Sequence, residues 1–126
     1  MSEHFGFHLL LDCSNCNRDL IGSKDNIYNF VKVLVKRIDM IAVGEPIIEM
    51  MCVGDPKVGY SLMQLISTSN ITSHFMDISG EAYIDIFSCK PYNIEDAKSC
   101  VQEFFEPERI FSRFLIRDAD ELQQTL

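Results

Sequence analysis

Apolar and polar positions along this chain switch between a period of two and a period of three to four. Residues 5–11 form an apolar run that closes on Asp12, and a polar stretch over 14–19 follows, so a strand and a turn are predicted. Ser23 is placed to cap a helix over 24–39, whose apolar positions Ile27, Phe30, Val31, Leu34, Val35 and Ile38 lie on one face. Gly44 and Pro46 interrupt the pattern before an apolar run over 47–53, and Gly54-Asp55-Pro56 is turn chemistry. Further strands are predicted over 60–66, 71–76 and 82–89. The last two are joined by Asp77-Ile78-Ser79-Gly80 as a hairpin turn. Asn93 caps a second helix over 93–105 that Pro107 ends, and 110–116 alternates as a final strand.

The resulting order, β-α-β-β-β-β-α-β, implies an α+β domain: a mainly antiparallel sheet with two helices on one face. With 126 residues and no linker or repeat, the chain reads as a single domain, 1–126. Its apolar content favours covering the bare face of the sheet with a second subunit.

Composition narrows the function classes. Hydrophobic residues make up 47% and charged residues 24%, an ordinary globular balance. The formal charge of -8 argues against nucleic acid, because phosphate binding needs clustered cations. No apolar run is long enough to span a membrane as a helix, and the N-terminal stretch lacks the pattern of an export signal. The five cysteines, Cys13, Cys16, Cys52, Cys89 and Cys100, are odd in number and irregularly spaced, which suits reduced thiols in a cytoplasmic protein.

Candidate chemistry concentrates between Ser61 and Cys89. Ser61, Ser69, His74 and Cys89 fall on neighbouring predicted strands. A serine needs a base or strain to act as nucleophile, and His74 suits a base reached from Ser69 across a bend or bulge. Cys89 is a candidate proton donor or thiolate. Taken singly, each residue is as well explained by an edge strand, a solvent face or an inert buried thiol.

Together, Gly59-Tyr60-Ser61, Ser69 with His74, and Asp85-Ile86-Phe87-Ser88-Cys89 resemble the bacterial and archaeal S-adenosylmethionine decarboxylases, which are pyruvoyl enzymes. Those enzymes carry a Gly-x-Ser, a Glu-Ser-His-x-x-x-His and an Asp-apolar-Phe-Thr-Cys-Gly element at similar spacing. Gly6-Phe7-His8, Asp12 and Cys16 also resemble the N-terminal pattern of that family. The resemblance extends over about residues 5–106.

The resemblance implies a proenzyme that cleaves itself between Thr68 and Ser69. Ser69 would become the pyruvoyl group that forms a Schiff base with the substrate amine, assisted in processing by Ser61 and His74. Cys89 would return the proton after carbon dioxide leaves, and Asp12, His8 and Thr68 would contact substrate. It further implies a homodimeric four-layer αββα sandwich with active sites at the subunit interface, a small-molecule substrate, no metal, and a role in polyamine (spermidine) biosynthesis.

The chain departs from the family pattern at recognisable points. Thr68 replaces the glutamate before the processing serine, Asn70 replaces a histidine, Asp55 and Met76 occupy aromatic positions, and Lys90 replaces a glycine. Each lost aromatic platform removes of order 0.5–2 kcal/mol of stacking or cation–π energy. These changes favour two alternatives: the same fold decarboxylating another amino acid, such as ornithine or arginine, or a non-catalytic homologue acting as a binding or regulatory partner.

Other features carry less. Cys13-Ser14-Asn15-Cys16 has zinc or redox spacing but no second pair. His4 and His8 suit a surface or core-edge role better than a shared metal. Residues 54–59 lack the phosphate-loop pattern, and the acidic stretch 118–121 reads as a solvated end.

Overall fold

The computed structural model describes residues 5–120 and the backbone of a short strand at 124–125. His4 and Glu121, singled out in the sequence, lie outside the described residues.

Strand β1 (Gly6–Ser14) leads into a short helix α1 (Arg18–Ile21) and then α2 (Lys24–Arg37). Strands β2 (Ala42–Met51), β3 (Gly59–Ile66), β4 (Ser69–Phe75) and β5 (Ala82–Ser88) follow as successive hairpins. Helix α3 (Ile94–Phe105) returns the chain to β6 (Arg109–Arg117) and the two-residue β7 (Gln124–Thr125). The strands form one sheet in the order β2-β3-β4-β5-β1-β6-β7, and every described pairing is antiparallel.

The predicted caps are made. Ser23 Oγ accepts from the Asn26 amide, and the Asn93 side chain accepts from the Asp96 amide. The predicted turn at 14–19 instead contains α1, because the Asn17 side chain accepts from the Asp19 amide and starts a helical turn. Strand β2 begins earlier than the sequence predicts. It passes through Gly44 and Pro46 by a bulge, where Gly44 takes φ +74° and the buried Gln64 amide donates to its carbonyl at 3.1 Å.

One face of the sheet and the helices share a single core. Leu9, Leu11, Ile71, Phe75, Ile84 and Ile86 from alternate strand positions meet Ile27, Phe30, Leu34, Ala97, Val101 and Phe105 from α2 and α3. Phe105 sits at the centre, its ring 4.7 Å from that of Phe30 and 4.8 Å from that of Phe75. The opposite face carries no helix. There Val43, Ile47, Met63, Leu65, Tyr83 and Phe111 are exposed, and the half-buried Ser61 and His74 stand among them.

Candidate functional site

Residues Ser67 and Thr68 form the tight connection between β3 and β4, with Ile66 paired to Ser69. The Thr68–Ser69 bond therefore lies at a hairpin tip at one end of the sheet. Ser69 pairs with Ser88 on β5, and Cys89 follows immediately. The Cys89 amide donates to the Thr68 carbonyl at 3.1 Å. The Cys89 side chain is exposed, as a proton donor needs. Asn70 Nδ2 donates to Ser69 Oγ at 3.1 Å, so the residue in the family's histidine position touches the candidate nucleophile.

Beneath the tip, the Thr68 and Ser88 hydroxyls share a hydrogen bond of 2.7 Å, and Met40 Sδ lies 3.4 Å from the Thr68 hydroxyl. Lys90 folds away from the tip toward the end of α2, where its Nζ donates to the Asp39 carbonyl at 2.6 Å and to the Asp39 carboxylate at 3.0 Å. A lysine is thus accommodated where the family pattern has glycine.

The other candidates occupy the bare face. Ser61 on β3 and His74 on β4 face each other across the sheet, with Ser61 Oγ 2.8 Å from His74 Nδ1. His74 Nε2 lies 2.8 Å from the Lys57 carbonyl. A carbonyl only accepts, so it places the proton on Nε2. In the neutral ring Nδ1 is then left to accept from the Ser61 hydroxyl. Gly59 makes this approach of β3 to β4 feasible, since a Cβ there would stand 1.7 Å from the Phe75 carbonyl oxygen. An open cleft of about 480 Å³ lies over the pair, lined in part by Glu49, Thr72, Tyr83 and Asp85.

The bend between Ser69 and His74 that the sequence suggested is absent. Strand β4 runs in continuous register from Ser69 to His74 against β3 and from Ser69 to Phe75 against β5. Five residues of strand span roughly 16 Å, and an odd separation reverses the face. Within one chain the Ser61–His74 pair and Ser69 therefore stand at opposite ends of β4.

His8 and Asp12 divide in the same way. His8 pairs with Phe87, which in turn pairs with Asn70, in a row beside the Thr68–Ser69 tip. His8 Nε2 donates to Asp85 Oδ1 at 3.0 Å. The Phe87 ring lies 5.6 Å from the His8 ring and 4.5 Å from the Arg117 guanidinium, and borders a second cleft with Phe5. Asp12 pairs with Tyr83, opposite which stands His74, and accepts from Arg113 at 2.9 Å.

Cys13 and Cys16 are buried side by side. Hydrogen bonding to Cys16 and burial push the Cys13 thiol above its ordinary range, while the same bond and the nearby Arg18 lower that of Cys16. Among the described residues, no group of three or more His, Cys, Asp or Glu is arranged to hold a metal ion, and no helix is long and apolar enough to cross a membrane.

The family model for S-adenosylmethionine decarboxylase matches residues 7–118, nearly the whole described chain. The chain belongs to the S-adenosylmethionine decarboxylase family. Its fold is similar to the crystal structure of the adenosylmethionine decarboxylase from Aquifex aeolicus VF5. The TM-score is 0.77, with 98% of this chain and 100% of that chain covered at 20% sequence identity. None of the curated proteins matches the sequence.

Family membership gives the coarse chemistry, that of a decarboxylase. Four participants escaped the sequence reading: Ser88, Met40 and Asn70 as a contact of Ser69 at the tip, and the Lys57 carbonyl beside His74 at the other end of β4. Only Ser88 had a signal, its place beside Cys89 in the Asp85–Cys89 element.

Proposed function

We propose that this chain is a self-cleaving pyruvoyl decarboxylase of the cytoplasm, acting as a homodimer on S-adenosylmethionine in polyamine (spermidine) biosynthesis. The observation that carries the reading is the Cys89 amide aimed at the Thr68 carbonyl beside Ser69.

In self-cleavage, Ser69 Oγ adds to the Thr68 carbonyl carbon, and the carbonyl oxygen takes up negative charge. A backbone N–H donor already on that oxygen stabilises the charge as it develops. The Thr68–Ser69 C–N bond then breaks, the nitrogen takes the hydroxyl proton, and an ester links Thr68 to Ser69 Oγ. Removal of the Ser69 α-proton expels the Thr68 carboxylate and leaves dehydroalanine. Its imine tautomer adds water and loses ammonia, giving a pyruvoyl end on residues 69–126.

A base is needed for the α-proton, and a donor or acceptor near Ser69 Oγ. The hydrogen-bonded Ser61–His74 pair has this chemistry, with Nδ1 as acceptor, but lies at the far end of β4. A second copy packed on the bare sheet face with its strands reversed would bring its Ser61, His74 and Asp12 to the end of the sheet where this chain's Thr68–Ser69 tip lies. The exposed apolar side chains of that face support such packing. His8, in the row beside the tip, would then serve its own chain's site.

The pyruvoyl carbonyl supplies the electron sink for loss of carbon dioxide. Cys89, exposed next to position 69, holds the proton that replaces the carboxylate, and no metal is required. Asp85 keeps His8 oriented at the edge of the site. The Thr68 side chain, bonded to Ser88, is turned to the buried side, so any substrate contact from Thr68 after cleavage would come from its new carboxylate.

One observation favours a second reading, a smaller basic amino acid such as ornithine or arginine as substrate. Asp55, in the aromatic position, caps its own turn by accepting from the Lys57 amide at 2.8 Å and offers no stacking surface. Carbon dioxide release from each of the three substrates, with and without Ser69→Ala, separates the readings. Release from S-adenosylmethionine abolished by Ser69→Ala supports the first reading, and preferred release from ornithine or arginine supports the second. No release from any of them indicates a non-catalytic homologue.

A further inference from the structure

The segment that follows β5 is folded around one hydroxyl. Ser88 is fully buried, yet it carries a polar side chain among the aliphatic residues of the core. Its Oγ accepts from the Lys90 amide at 3.0 Å, closing a tight turn over Cys89. The same Oγ shares the 2.7 Å hydrogen bond with Thr68 Oγ1. Thr68 is thus gripped by two consecutive residues: its hydroxyl by Ser88, and its carbonyl by the Cys89 amide.

The two grips depend on each other. The turn held by the Ser88–Lys90 bond sets the direction in which the Cys89 N–H points, and the Ser88–Thr68 bond fixes the residue whose carbonyl receives it. Without the Ser88 hydroxyl, the Lys90 amide and Thr68 Oγ1 both lose a partner, and the Cys89 amide is free to swing away.

We infer that Ser88 is a positioning residue for self-cleavage, holding the Thr68 carbonyl and the Cys89 amide in register so that the attacked oxygen has its donor in place. This inference rests on the self-cleavage reading above. Ser88 acts on the bond only through Thr68 and Cys89, and once the bond is cut its alignment is no longer needed.

The test follows cleavage of freshly made protein by intact mass. The wild type is compared with Ser88→Ala, Ser88→Thr and Thr68→Val, each checked for folding by thermal melting. Ser88→Ala is expected to cleave roughly tenfold more slowly, in line with loss of about one hydrogen bond from the aligned state. Thr68→Val should slow cleavage to a similar degree, and adding Ser88→Ala to it should cost little more, because both remove the same contact. Ser88→Thr, which keeps the hydroxyl, should cleave near the wild-type rate. Decarboxylation per pyruvoyl group should be unchanged in Ser88→Ala and Ser88→Thr once each has finished cleaving.

Wild-type rates in Ser88→Ala and Thr68→Val would overturn the inference while leaving self-cleavage intact. So would equal slowing in Ser88→Thr, which would point to packing rather than to the hydroxyl. A wild type that never cleaves would overturn the self-cleavage reading itself.

Discussion

The amide of Cys89 donates to the carbonyl of Thr68 across 3.1 Å, although 21 positions separate them in sequence. The β4–β5 register creates this contact by setting Ser69 opposite Ser88. It couples the two halves of the proposed chemistry, since one residue supplies a backbone donor for cleavage and a side-chain proton for turnover. The two roles separate by mutation, because only one of them needs sulfur.

Cys89→Ala should therefore still cleave, within a few-fold of the wild-type rate. Its carbon dioxide release should fall by about two orders of magnitude or more, the usual scale for a lost general acid. Cleavage scored by mass and turnover scored by carbon dioxide release check the two arms independently.

Processing in trans has its own signature. Ser69→Ala has no nucleophile and His74→Ala has no base, so neither should cleave alone. Co-expressed, they form mixed dimers in which the His74→Ala chain meets the partner's His74, and that chain alone should be cut. Mass analysis of the mixture reads this directly, and an uncut mixture would place the assisting groups elsewhere.

The bare sheet face should be the dimer contact. Met63 and Leu65 lie on it, exposed and directly opposite Ile47 and Val43 on β2. Replacing both by glutamate adds charge to a face that is otherwise apolar there and should leave the core intact. Light scattering should report a shift from dimer to monomer, with cleavage falling in parallel. The thermal midpoint, extrapolated to low protein concentration, should change little.

Stability should fall at alkaline pH. Burial pushes the Cys100 thiol up to about 11 and the Tyr92 hydroxyl well above its usual range, and Cys13 is also held high by its bond to Cys16. A folded state that retains protons longer than the unfolded chain is fully stabilised below the unfolded pKa and loses that stability as pH rises through the folded one. For Cys100 the window runs from about pH 9 to about 11. Thermal melts across it should show a declining midpoint, with a shallower decline in Cys100→Ala.

Much of the fold was legible in the sequence because its signals were local. The Ser23 and Asn93 caps and the one-sided spacing of Ile27, Phe30, Val31 and Leu34 fix the helices with no reference to the rest of the chain. The bulge of β2 was hidden because Gly44 and Pro46 read as breakers. Pairing with β3 on both sides of the bulge, and the Gln64 amide that satisfies the Gly44 carbonyl within it, make them part of a strand.

The candidate site was legible as a set of residues and not as an arrangement. The resemblance brought out Ser61, Ser69, His74 and Cys89 together, but their spacing carried no information on whether one chain or two would unite them. Strand β4 separates them within one chain, since an uninterrupted run of five residues puts His74 on the other face and at the other end from Ser69. Ser88 was visible only as part of the Asp85–Cys89 element, because a serine at a strand end has no evident role until the register gives it Thr68 as a neighbour.

The most direct test of the account is the intact mass of the purified protein under denaturing conditions. Two fragments that meet between Thr68 and Ser69, the second beginning with a pyruvoyl group, are the predicted result. A single 14.5 kDa chain that persists for days would contradict it.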